Sequence, residues 1–143
     1  MEAVKVRNIN IGEGVPKICV PVVGVTKEEI LAAAKTMKDI PVDVVEWRVD
    51  WFEHVFETEK VIEAAREIRE ALGEIPLLFT FRTKKEGGEK EIGPEAYSEL
   101  IQKVSESGFV DMVDIELFTG DVIVKNTIQV VHEYGVKVII SNH

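Results

Sequence analysis

VDVVEWRVD, residues 42–50, is the stretch that decides the architecture. It begins as a strand-length apolar run and turns polar at every second position, Glu46, Arg48 and Asp50. Successive side chains of a strand point to opposite faces, so these three share one face. The same design recurs along the chain. IPLLFTFR (75–82) brings Thr80 and Arg82 together, DMVDIELF (111–118) does so for Asp114 and Glu116, and VKVIISNH (136–143) finishes on Ser141, Asn142 and His143. KICVPVV (17–23) is a fifth apolar run of the same length.

The segments between these runs carry helical spacing. Thr26 is placed to cap KEEILAAAKTMK, with Glu29 at the capping-box position. Val61, Ile62, Ala65, Ile68 and Leu72 form one stripe of a helix over 57–72, ended by Gly73. Pro94 opens a third helix carrying Tyr97, Leu100, Ile101 and Val104, stopped by Gly108. Asp121 to Tyr134 reads as a fourth, closed by Gly135. Strand and helix alternating with a repeat of roughly 30 residues predict parallel β/α units. One domain, residues 1–143, accounts for the whole pattern. VKVRNINIG (4–12) alternates instead like a short antiparallel strand or hairpin, expected to cover one end of the sheet. A flavodoxin-like five-stranded layout is permitted by the topology, but nothing marks its cofactor or phosphoacceptor site.

Composition narrows the function classes. A formal charge of -9 argues against a nucleic-acid backbone as partner, since phosphate binding needs a basic face. The apolar runs are strand-sized, so no membrane span is expected, and the amino terminus has no apolar signal core. A single cysteine, Cys19, excludes an internal disulfide framework and points to the cytoplasm; within its apolar run it is expected in the core. His54, His132 and His143 show no metal-ligand spacing, so no metal is expected. There is no glycine-rich phosphate loop and no nucleophile elbow.

In parallel β/α sheets, sites form at the carboxyl ends of the strands, where the polar residues of this chain gather. One such pair is more often an ion pair or the start of a solvated loop. Four in succession, with two arginines and a terminal histidine, mark a site instead, because buried charge is costly unless it is used or paired. Asp50, Asp114 and Glu116 read as partners of Arg48 and Arg82. The loop RTKKEGGEK (82–90) adds an acid, Glu86, followed by two glycines that let the backbone fold over a ligand.

PKICVPVVG, VVEWRVDWFE, PLLFTFRTKKEGG, VDMVDIELF and VIISNH, in this order and at these separations, resemble type I 3-dehydroquinate dehydratase, the Schiff-base-forming lyase of the shikimate pathway of aromatic amino acid biosynthesis. The resemblance implies a TIM (β/α)8 barrel of which this chain is about the first half, with five strands and four helices. It implies substrate-binding roles for Glu46 and Arg48, a carboxylate-binding role for Arg82, and a catalytic pair of His143 as base and Glu86 as its partner. It implies no cofactor. The chain departs from the family pattern at Pro21, where some members carry a substrate-touching serine, and at Asn142, where others carry tyrosine. The family's Schiff-base lysine belongs to the strand after the histidine. None of the lysines present matches it: Lys17 and Lys137 start strands, and Lys84 and Lys85 sit in a loop. The expectation is a portion inactive alone, acting on 3-dehydroquinate as a homo-oligomer, such as a dimer, or with a complementary C-terminal half. A non-catalytic, self-associating half-barrel that binds an anionic ring acid through Arg48 and Arg82 is the competing expectation.

Overall fold

The computed structural model describes residues 2–143, the Phe118 side chain excepted. Two short strands, β1 (Val4–Val6) and β2 (Ile9–Ile11), pair antiparallel as the expected hairpin. Five strands then form one parallel sheet in sequence order: β3 (Cys19–Val22), β4 (Val44–Arg48), β5 (Leu77–Thr80), β6 (Met112–Glu116) and β7 (Lys137–Ser141). Helices α1 (Lys27–Thr36), α2 (Thr58–Leu72), α3 (Pro94–Ser107) and α4 (Asp121–Glu133) connect them. The alternation read from the sequence holds throughout. Strands begin and end one or two residues inside the stretches quoted above, and four of them finish on a polar residue, Arg48, Thr80, Glu116 and Ser141.

Local signals explain the helix ends. The Thr26 hydroxyl accepts the Glu29 backbone N–H at 3.2 Å, satisfying a donor that the first turn cannot. The Glu29 carboxylate reaches back to the Thr26 hydroxyl at 3.3 Å rather than to its backbone N–H, so the capping box is only half formed. Gly108 ends α3 at φ +82°, a left-handed conformation that suits glycine.

The sheet has two unlike faces. Val22, Val45, Trp47, Phe79, Val113 and Ile115 point to the helices and are buried against Ile30, Val61, Ala65, Ile68, Ile101 and Val104. Each such aliphatic side chain stabilises the fold by about 1.5–3 kcal/mol. The other face is layered along the strands. At the amino end Val44, Leu78 and Met112 form an apolar layer closed by Val6 of the hairpin, with Ile9 and Ile11 alongside. Asp111 fastens this closure, accepting from Arg7 Nε at 2.7 Å, from Arg69 Nη1 at 2.7 Å and from the Leu77 N–H at 2.8 Å. Toward the carboxyl end the layer turns polar.

Among the described residues the sheet is open at both edges. Cys19, expected in the core, is exposed because β3 is an edge strand with no strand beyond it among the described residues. Partial desolvation, with the Glu46 carboxylate nearby, nevertheless raises its thiol pKa to about 11, which disfavours the thiolate. On the opposite edge Ile139 and Ile140 of β7 are 37% and 46% exposed, one on each face. No helix among the described residues is long and apolar enough to cross a membrane.

Candidate active site

The polar layer is built by the strand period. Parallel pairing puts Pro21 beside Glu46 and Arg48 beside Thr80, so their side chains share the inner face. Thr80 donates its hydroxyl to Glu46 Oε2 at 2.7 Å, a bond between strands that orients the carboxylate. Arg48 forms a two-pronged pair with Asp50, Nε to Oδ1 at 3.0 Å and Nη2 to Oδ2 at 2.8 Å. That pair, with Glu46 nearby, raises the arginine's pKa despite partial burial.

Arg82 sits deeper. Its Nη1 donates to Asp114 Oδ2 at 3.0 Å, to Glu116 Oε2 at 2.9 Å and to Ser141 Oγ at 3.0 Å. The Ser141 hydroxyl in turn donates to Asp114 Oδ2 at 2.8 Å. Burial works against the guanidinium charge, yet the two acids outweigh it and raise the Arg82 pKa. Burial also pushes the Asp114 carboxyl above its ordinary range, with Arg82 opposing. Nη1 is thus committed within the protein, while Nε and Nη2 have no hydrogen-bond partner among the described residues. The reading of Asp50, Asp114 and Glu116 as arginine partners matches these contacts.

The loop after β5 is held from both sides. Glu116 accepts the Thr83 N–H at 3.1 Å and the Thr83 hydroxyl at 2.7 Å, and Lys90 Nζ donates to the Phe52 carbonyl at 2.7 Å. Gly88 packs so closely that an added Cβ would lie 1.7 Å from the Arg82 carbonyl oxygen, a distance no side chain can occupy. Glu86 ends the short 3-10 turn 84–86 in this loop. Its Oε1 accepts the backbone N–H of His143 at 2.8 Å, joining residues 57 apart in sequence. The contact is to the amide of His143 and not to its ring; neither imidazole nitrogen has a partner among the described residues. A cavity of about 760 Å³ opens beside Glu86, bounded by the loop, the first turn of α3, Glu116 and Thr119.

Glu46, Arg48 and Arg82 therefore share one inner face, and Glu86 meets His143 at its carboxyl rim. Sequence reasoning missed three features. It did not foresee that Asp50 also binds the loop, accepting the Arg82 N–H and the Glu89 N–H, each at 3.1 Å. It read Tyr97 as apolar stripe, whereas its hydroxyl donates to the Asp114 carbonyl at 3.3 Å and accepts the Glu116 N–H at 2.9 Å. A tyrosine inside an otherwise aliphatic stripe was the available signal. It also missed Lys90, the rim lysine tied to a carbonyl. Among the described residues no group of three or more histidines, cysteines and acids is arranged to hold a metal ion.

The chain is similar to known proteins in sequence and in fold. The type I 3-dehydroquinase family pattern matches residues 18–143. A 3-dehydroquinate dehydratase of Clostridium botulinum is 52% identical over 140 residues, covering 98% of this chain and 55% of its own length. One of Clostridioides difficile is 49% identical with the same coverage. The crystal structure of a type I 3-dehydroquinate dehydratase from Clostridium difficile, with covalently modified comenic acid, superposes with a TM-score of 0.97 over 100% of this chain and 57% of that one. A Geobacillus kaustophilus 3-dehydroquinate dehydratase superposes at 0.95 with 36% identity, over 99% of this chain and 55% of its own. The chain spans about half the length of the relatives it matches.

Proposed function

Because the chain belongs to the type I 3-dehydroquinase family, we propose that it supplies the acid–base and substrate-gripping portion of a 3-dehydroquinate dehydratase, a hydro-lyase of the shikimate pathway. The observation that carries this reading is the meeting of Glu86 and His143 at the carboxyl rim, next to the inner-face group Glu46, Arg48 and Arg82. The substrate is a cyclic β-hydroxy ketone bearing a carboxylate. A lysine amine condenses with the ketone, releasing water, and the resulting iminium acidifies the adjacent C–H. The neutral His143 imidazole takes that proton, the electron pair forms the new double bond, and the hydroxyl leaves as water with the proton that histidine returns. Hydrolysis of the iminium releases 3-dehydroshikimate and restores the amine. Glu86 stabilises the charged imidazolium, as the carboxylate of a triad does. Glu46 accepts a ring hydroxyl, and the free edge of Arg82 faces the anionic substrate. No cofactor and no metal enter this scheme.

The lysine comes from the part of the relatives' length that this chain does not span. Both sheet edges are open among the described residues, which suits a complementary C-terminal portion as partner. Two copies of this five-stranded sheet would bring ten strands, a poor match to closure at eight, so a homodimer is the weaker version. A cytoplasmic location suits the lone thiol.

Turnover tests this reading. The chain alone should give no conjugated product from 3-dehydroquinate and no borohydride-trapped adduct by intact mass; with the C-terminal portion of a relative both should appear. Restored folding and association without product would overturn it. A stable, inactive homodimer of the chain that still binds the ring acid would favour the non-catalytic half-barrel.

A further inference from the structure

We propose that Asp50 is a positioning residue that couples the substrate grip at Arg48 to the loop presenting Glu86. Asp50 follows β4 in a 3-10 turn and is fully buried. Its two oxygens have four acceptor sites, and four N–H donors fill them. Oδ1 takes Arg48 Nε at 3.0 Å and the Arg82 amide at 3.1 Å; Oδ2 takes Arg48 Nη2 at 2.8 Å and the Glu89 amide at 3.1 Å. Each oxygen therefore holds one donor from the arginine and one from the loop. The two amides stand at opposite ends of that loop, with Glu86 between them. Gly88 allows the closure, its N–H meeting the Thr83 carbonyl at 2.8 Å while its α-carbon lies against Arg82.

The consequence is specific to a carboxylate. Asparagine has one oxygen and one NH2 group in the same places, and whichever way it flips, the NH2 group confronts one Arg48 donor and one loop donor. Asp50→Asn thus loosens both partners at once. An acid that merely filled a hole in the core would not link them. No hydrogen bond joins Arg48 to the Glu89 amide directly; Asp50 Oδ2 accepts from both.

This inference rests on the proposed function for its catalytic meaning, but the link itself is measurable on the chain alone. Amide exchange and 15N spectra of wild type, Asp50→Asn and Arg48→Lys give the test, with 3-dehydroquinate binding followed on the same samples. In Asp50→Asn the Arg82 and Glu89 amides should exchange at least about tenfold faster beyond any change in the slowest core amides, the His143 amide signal should shift, and the Arg48 Nε–H signal should broaden or move. Arg48→Lys should also speed the Glu89 amide, although lysine cannot form the two-pronged pair and makes no contact with the loop. Where wild type binds 3-dehydroquinate, Asp50→Asn should weaken binding by about tenfold to a hundredfold, the scale of a misplaced binding group. Uniform acceleration of all amides in Asp50→Asn, or loop amides unmoved in Arg48→Lys, would overturn the link. Wild type failing to bind 3-dehydroquinate would count against the functional reading and leave the amide data to decide the link. Should Asp50→Asn fail to fold, Arg48→Lys alone decides it.

Discussion

The two ends of the inner sheet face solve opposite problems with neighbouring residues on the same strands. At the amino end Val44, Leu78 and Met112 are sealed by Val6, and charge is kept to the periphery, where Asp111 binds Arg7 and Arg69. At the carboxyl end, two residues further along each strand, Glu46, Thr80 and Asp114 begin a layer in which polar groups hold one another by hydrogen bonds. The first end contributes stability by excluding water. The second places charge where water is partly excluded, and stays ordered only because its groups are paired. A sheet can therefore carry a site without losing its core, provided the two are separated along the strand.

The sharpest way to break this contrast is Arg82→Ala. It leaves Asp114 and Glu116 buried without their counter-charge and should cost about 3–5 kcal/mol by urea denaturation at neutral pH. The loss should shrink as pH falls and Asp114, whose carboxyl burial pushes above its ordinary range, becomes protonated. Leu78→Ala, at the sealed end, should cost about 3 kcal/mol through transfer and cavity terms, and that loss should not vary with pH. A pH-dependent loss in Leu78→Ala would erase the distinction between the ends. Val6→Ala tests whether the hairpin is a true seal: shortening its one buried contact should cost roughly 1–2 kcal/mol and speed exchange of the β1–β2 amides more than those of β5.

Asp114→Asn gives the smallest effect and the most informative sign. Burial raises the folded-state pKa of Asp114, so the folded chain holds that proton more tightly than the unfolded chain does. Its contribution to stability is present below the ordinary carboxylate pKa of about 4 and is lost as pH rises through the elevated value. Subtracting the variant's stability from that of wild type across this window should give a difference that declines with rising pH. A difference that instead grew with pH would mean that Arg82 outweighs desolvation at Asp114.

Much of this was legible in the residues. The two-residue period of EWR and FTFR, the Thr26 cap and the glycines after α2 and α3 act within a few residues of themselves, so they can be read without knowing what lies across the fold. Family motifs added the identities of Glu46, Arg48, Arg82, Glu86 and His143, whose roles rest on the proposal above. What the strand pattern could not convey was which acid would answer which arginine. Asp50 is two residues from Arg48 and 32 from Arg82, and it serves both.

The amino-acid order alone determined the alternation of strand and helix, the apolar and polar faces, and the family, because periodicity, capping and motif are local properties of the chain. Tertiary structure alone decided that Cys19 is exposed, that Tyr97 bridges two backbone groups of β6, that Arg82 is shared by two acids and that Glu86 meets the amide of His143. Each of these depends on strand register and loop closure across tens of residues, and only the packed sheet sets those distances.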